Sequence, residues 1–548
     1  MSRSLGSQAG AGLALRPGRD GVEAAAREVW RYHRASKHHL HRYAPGPGHL
    51  DWATQPDPFR VYTGCPRLEL PLVADALAVG YGAVRQGRLP APAPFDRRSL
   101  AALFELTLGL AAWKQYGANR WALRCNPSSG NLHPTEGYLL SPALPDLQAG
   151  VYHYVSRDHA LEQRAAWPQP SGPPLIAFTS IVWREAWKYG LRAFRYCQLD
   201  TGHAIAALSF AAAALGWRLR PLPIGEADLA SLLGVDRSVD YDSAEAELPE
   251  ALFALVAAEG ERSTALPAAS ALRWQGRANR LSPEHRHWPG LDEVAAATAR
   301  PSAAVQPDWT PPVRHAPPSL AQDMPLPHLI RQRRSAQAYD GVSSMPAEVF
   351  HGLLTRLLPA AGTPPWTAWP YPPAVHLILF VHRVAGLTPG LYALPRDEAA
   401  LPSLKAAMRP DWLWAKTGPQ ALPLYLLLPH DVRPVAEQLS CHQDIAADGC
   451  FAVAMLADFA ALDKAPWLYR SRHWEAGLIG QVLYLEAEAA GLRGTGIGCF
   501  FDDAVHELLG LDTDGRWQVV YHFTVGGALE DTRLTTLPPY PPAFRQRG

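Results

Sequence analysis

Arg333, Arg334 and Ser335 stand in a row inside LIRQRRSAQAYDG, Leu329–Gly341. A guanidinium is planar and holds phosphate oxygens by two parallel bonds, and a serine hydroxyl adds a donor. At the end of a short predicted helix this triplet has the chemistry of a phosphate grip, although a solvated basic helix end has the same residues. A second segment, GALEDTRLTTLPPY (Gly527–Tyr540), places Arg533 in a proline-bounded tail and says little alone. In a third, NPSSGNLHPTEGYLL (Asn126–Leu140), Pro127, Ser128, Ser129 and Asn131 make a tight turn with exposed backbone N–H groups and short donors. Such a turn suits a planar polar ligand, or is an ordinary turn before a strand. The fourth is GTGIGCFFDD (Gly494–Asp503). Its glycines let backbone approach a ligand closely, and Phe500 and Phe501 offer an apolar wall or pack a helix–loop connection. The fifth, WKYGLRAFRYCQLDTGH (Trp187–His203), sets Lys188 beside Tyr189. A neighbouring ammonium lowers a phenol's pKa and makes it a usable base; with Arg192 and Arg195, the segment also reads as a surface ion-pair patch. Cys197 and Cys499 have no obvious base beside them in sequence and receive no nucleophilic role.

The elements that position these residues belong to a chain of 548 residues with 48% hydrophobic content, enough for two large folded units. Its formal net charge is zero, which lacks the field of a nucleic-acid or acidic-membrane binder. Six scattered cysteines without a CxxC pair argue against structural zinc and disulfide frameworks and suit a reducing cytoplasm. HEXXH, GxGxxG and P-loop patterns are absent. The longest apolar stretch, Ala204–Trp217, has the length of one soluble helix, and the first twenty residues hold no apolar core of signal-peptide length. We expect a cytoplasmic protein with no membrane, metal or nucleic-acid partner.

Residues 1–28 read as a flexible tail, 29–263 as a first folded unit, 264–327 as a Pro/Ala-rich linker and 328–548 as a second unit. The units echo each other. The block Asp200–Asp236 matches Glu475–Asp512 with one inserted residue. Each block has a helix-period run ending at a glycine (Gly216, Gly491), a loop, and a short helix closing with LLG(V/L)D. AGVYHYV (Ala149–Val155) pairs with PGLYALP (Pro389–Pro395) as a short strand. Two echoes in one order suggest duplication. The two helices carry few charges, so they bury most of the way round, against each other across a pseudo-twofold axis. Strands such as His376–Val384, Leu422–Pro429 and Trp517–Gly527 complete an α+β fold.

Together these motifs, with YHRASKHHLHRY (Tyr32–Tyr43) and GLRGTGIGCFFDDAVHELLGLD (Gly491–Asp512), resemble the nitroreductase fold, and more closely the SagB/ThcOx-type dehydrogenases. The resemblance implies two tandem nitroreductase-like domains forming an intramolecular pseudo-dimer, with further homo-oligomerisation left open, and FMN as cofactor. By resemblance Arg333, Arg334, Ser335 and Arg533 hold the FMN phosphate. Gln337 and Asp531 stand where the family has further basic residues. In nitroreductase homodimers the PSxxN turn of one subunit meets the phosphate grip of the other. Here Pro127, Ser128, Ser129 and Asn131 lie in the first half and the grip lies in the second. The second-half counterpart of the turn, Gly362–Val375, lacks Ser and Asn, and the first half offers only Arg34, Ser36 and a late Arg262 as a grip. One composite site, one degraded site and one FMN follow. The family's backbone contact to flavin N5 falls at Gly498–Cys499, and its Lys–Tyr base at Lys188 and Tyr189.

The resemblance implies oxidation of an azoline or similar heterocycle of a modified peptide or natural product, by hydride transfer to flavin N5. An NAD(P)H-dependent reductase of nitro, quinone or flavin substrates uses the same fold and differs in not needing Lys188. A non-catalytic scaffold, with or without flavin, differs in activity and flavin content.

Overall fold

The computed structural model describes residues 19–168, 172–257, 266, 269–318 and 322–547. Five strands of the first half, Thr135–Ser141, Gly150–Val155, Leu175–Ser180, Arg218–Pro221 and Leu248–Val256, lie side by side in the order second, first, third, fifth, fourth. Five strands of the second half, Val375–Val381, Gly390–Leu394, Phe451–Asp458, Arg493–Ile497 and Trp517–Gly526, repeat that order. Every pairing among them is antiparallel. Each half sends a 22-residue helix, Ala193–Ala214 or Leu468–Ala489, from its third strand to its fourth. A short helix, Glu226–Leu233 or Asp502–Leu509, then precedes the fifth strand and ends at a left-handed glycine, Gly234 or Gly510. The structure thus carries the duplication expected from the echoing blocks, and the α+β fold with it.

The strand alternation shows which face each sheet buries. Val375, Leu377, Leu379 and Val381 point into a core that runs through both halves, while Ile378 and Phe380 point to a separate outer core. The first half does the same, with Ile176 and Phe178 inward and Leu175 and Ala177 outward. The two long helices fill the shared core and cross where Gly202 faces the Trp474 backbone and Gly477 faces Leu199 O. A Cβ at either glycine would collide with the opposing main chain. Gly477→Val therefore forces the helices apart, and we expect it to lower the denaturant midpoint sharply, measured by tryptophan fluorescence.

Both ends of the described chain cross between halves. Strand Thr535–Leu537 pairs with Leu110–Tyr116 of the first half. Helix Arg19–Ala35 begins inside the segment expected to be a tail through residue 28. Its apolar face is made of small Ala25 and Ala26 with Val29 and Tyr32, a weak sequence signal that becomes a buried stripe against Leu291–Ala297 and the second half. Trp30 Nε1 donates to Asp463 and His33 Nε2 meets Gln518 at 3.0 Å. The Pro/Ala-rich stretch also holds structure: Arg273–Trp274 pairs with Ala160–Ala166, and Arg277–Ala278 with Tyr62–Thr63. Within the described residues, no helix is long and apolar enough to cross a membrane.

Candidate active site

The crossover of halves brings the predicted segments together. Two adjoining cavities share Pro127, Ser128 and Ser335 as common wall. The turn of the first half supplies Pro127, Ser128, Ser129, Gly130 and Asn131. The second half supplies Arg333, Arg334, Ser335 and Gln337 at one end and Gly496–Cys499 at the other.

At the first end, helix Leu326–Gln332 stops and delivers the grip. Arg333 is 4% exposed, its Nε and Nη2 donate to Cys125 O (3.3 Å) and Arg124 O (3.4 Å), and its Nη1 has no partner. Arg334 donates to the carbonyls of Arg331, Arg333 and Ala111. Among the described residues neither guanidinium has a carboxylate at ion-pair distance. Burial disfavours both charges, and the Arg333 charge helps bring Arg334 down to about 10. The buried Asn126 adds an unpartnered Oδ1 in the same cavity. An orphaned donor, an orphaned acceptor and two crowded cations fit an anionic ligand that also carries hydroxyls. Ser335 Oγ lies 2.8 Å from Tyr484 OH, which accepts or donates to hold it there.

At the other end the turn is braced from below. Ser129 donates through its N–H (3.0 Å) and Oγ (2.9 Å) to the buried Asp200, and His133 N–H donates to Ser128 Oγ. Burial lifts the Asp200 carboxyl to about 7 against these bonds. Opposite, Arg192 donates to Gly498 O while its Nη1 pairs with Asp502 at 2.9 Å, and Arg195 takes the other Asp502 oxygen at 2.8 Å. Both arginines are 1% exposed, so the surface ion-pair reading fails; they pin the glycine loop across the two halves. A Cβ at Gly498 would collide with the Tyr196 ring, so glycine is needed there to keep the loop against that wall.

Several expectations change. Arg533 lies outside the cavity wall, 73% exposed and bound to Asp531, because the tail turns outward before pairing with the first half. Arg493, at the start of the fourth strand, lines that end instead, paired with Glu530 at 2.7 Å. Tyr189 lines the second cavity, beside Gly130, but Lys188 does not; its Nζ sits 5.4 Å from the centre of the Tyr189 ring. Nor is the phenol lowered. Burial, reinforced by Glu185, Tyr196 and Asp200, pushes Tyr189 well above its usual range. Phe500 stacks on His522 and Phe501 is equally buried, so both are core and neither walls the cavity. Asp200, Asn126 and Arg493 are among the cavity groups that sequence reasoning passed over, with His203 and Tyr484. Asp200 left a signal there, as an acid inside a run of few charges, within the buried helix Ala193–Ala214.

The pseudo-symmetric counterpart is a cavity lined by Leu222, Ile224, Trp369, Pro370, Tyr371 and Trp474. Its turn has bulky rings where the other has Ser and Asn; Arg470 pairs with Glu226 and Glu250, and Arg300 donates to Tyr371 OH and Ala304 O. Arg34 is exposed and paired with Asp514, and Ser36 donates to His33 O. Arg262 lies outside the described residues.

Residues 330–527 match the nitroreductase family. In structure the chain is similar to a candidate nitroreductase from Anabaena variabilis, with a TM-score of 0.64 and 22% identity over 92% of this chain and 99% of that one. That likeness extends the nitroreductase fold across both halves. The E. coli microcin synthetase McbBCD complex with truncated pro-MccB17 bound is similar at a TM-score of 0.26 and 17% identity, over 36% of this chain and 70% of that one. A candidate nitroreductase in complex with FMN from Exiguobacterium sibiricum gives 0.20 and 16%, over 37% and 88%. No curated protein sequence matches the chain.

Proposed function

We propose that the chain is an FMN-dependent oxidoreductase with one cofactor site, the composite cavity between its halves. One observation carries the reading: Arg333, whose buried Nη1 has no partner, lines one of two adjoining cavities that share the Ser128 turn as a wall, and the Gly496–Cys499 loop lines the other. Arg333, Arg334 and Ser335 would hold the phosphate and Gly498–Cys499 the ring edge. Bound FMN supplies a two-electron hydride acceptor or donor. The chain's own part is to position it and to move a proton beside it. Asp200 exchanges a proton near neutral pH, and Tyr189 holds one on its hydroxyl.

We read the reaction as oxidation of an azoline or similar heterocycle of a modified peptide or natural product. The base then belongs to the Asp200–Tyr189 side of the cavity, with Lys188 acting on Glu185 and Tyr189 from behind. The raised Tyr189 pKa favours a second reading, in which its phenol donates the proton during NAD(P)H-driven reduction of a nitro, quinone or flavin substrate.

The purified protein should show a flavin spectrum with close to one FMN released per chain. Two per chain would mean that the tryptophan-lined cavity also binds, and none after adding FMN would leave only the scaffold. With flavin bound, Tyr189→Phe should lower turnover by about a hundred-fold or more in either reaction. Lys188→Ala should slow azoline oxidation and spare NAD(P)H oxidation.

A further inference from the structure

Cys499 does not stand alone on the cavity wall. Its sulfur is 2.7 Å from that of Cys441, which lies far away in sequence, in the segment between helix Arg433–Leu439 and strand Phe451–Asp458. The segment is built to bring it there. Cys441 and the following His442 both sit at φ +56, a left-handed conformation that costs energy at non-glycine residues. Gln443 then donates to Cys499 O at 3.1 Å, tying the two loops together. His38 lies beside Cys499 and favours its thiolate, and its own Nδ1 accepts from Ala44 N–H. The Arg192 guanidinium stands on the same side, bound to Gly498 O. Both cysteines are partly exposed, and Cys499 opens into the cavity. Cys125, Cys197 and Cys450, by contrast, are buried.

We propose that Cys441 and Cys499 form a redox-active dithiol pair that exchanges with small-molecule disulfides at the mouth of the cavity. The Cys499 sulfur attacks one sulfur of the incoming disulfide, forming a mixed disulfide and expelling one thiolate. The Cys441 sulfur attacks Cys499, expelling the second thiolate and closing the Cys441–Cys499 bond. The external disulfide gains two electrons and leaves as two thiols, which take up the two protons of the pair; the pair loses two electrons. Electrostatics assign the order. The Cys441 contact, His38 and Arg192 bring the Cys499 thiol down to about 5, while the same shared proton pushes Cys441 up. Burial lifts Cys65, the other partly exposed cysteine, to about 11. This inference stands apart from the flavin reading, because it needs only the two sulfurs and their neighbours.

The test exposes the full-length protein to glutathione disulfide, quenches in acid, alkylates the remaining thiols and maps the peptides. A Cys441–Cys499 cross-link, reversed by dithiothreitol, is expected to form about ten-fold or more faster than any adduct on Cys65. Cys441→Ser should stop at a glutathione adduct on Cys499, and Cys499→Ser should leave Cys441 unmodified over the same interval. Urea-unfolded protein should lose the preference for this pair. The same map made before and after flavin removal separates this inference from the cofactor reading. If folded protein keeps both cysteines as free thiols, or Cys65 reacts as fast, the proposal is overturned.

Discussion

Arg333→Ala weakens FMN binding by about 10- to 100-fold, and the purified variant comes off the column largely colourless. The size follows from the chemistry: a hydrogen bond to a charged group contributes about 1.5–3 kcal/mol, and each 1.4 kcal/mol is about ten-fold in affinity. Arg333 is already held by Cys125 O and Arg124 O, so no side-chain ordering offsets the gain from its free Nη1. Arg533→Ala supplies the contrast. Its guanidinium is exposed, engaged with Asp531 and outside the cavity wall, so affinity should change little. Equilibrium titration of the apoproteins with FMN measures both. Equal losses in the two variants would restore Arg533 to the phosphate end and remove the special place given to Arg333.

Arg192→Ala is expected to cost about 1.5–3 kcal/mol of stability, because it removes a charge-assisted bond to a buried carboxylate that keeps Arg195 as its remaining partner. Asp502 is fully buried between Arg192 and Arg195 and accepts from His38 N–H, so the loss falls on the seam that joins the halves. The arginines hold the Asp502 carboxyl well below the usual carboxylate range. A depressed carboxylate gives stability that is fully present above its unfolded value near 3.9 and is lost as pH falls from there toward its folded value. Urea midpoints measured from pH 6 down to pH 3 should therefore fall in the wild type, and Asp502→Asn should flatten that acid limb while lowering the neutral plateau. A variant as stable as the wild type at neutral pH would show that the cluster is not what closes the seam.

The duplication was legible in the sequence because it is written in local patterns. Helix periodicity, the glycines that end each long helix and the repeated LLG(V/L)D closure all act within a few residues, and they predicted two related α+β halves. The grip at Arg333–Ser335 and the turn at Pro127–Asn131 were legible for the same reason, since each is a short run whose chemistry is its own. What failed depended on burial. Lys188 and Tyr189 are adjacent in sequence, yet Tyr189 enters the cavity and Lys188 does not, and desolvation outweighs the nearby ammonium. Arg192 and Arg195 looked like a surface patch because nothing local tells that Asp502 is buried against them. The tail through residue 28 looked too small and polar to fold, and it becomes helical from Arg19 because the second half offers it a partner face.

The sequence by itself determined two copies of one fold, a basic run at Arg333–Ser335 with the chemistry of an anion grip, and the absence of a matching turn in the second copy. The tertiary structure decided that the good turn and the good grip face one cavity, that Arg493 and not Arg533 lines its cationic end, and that Cys441 meets Cys499. The reason is physical: which charges share a cavity and which are desolvated is set by contacts between residues hundreds of positions apart, and no local pattern records them.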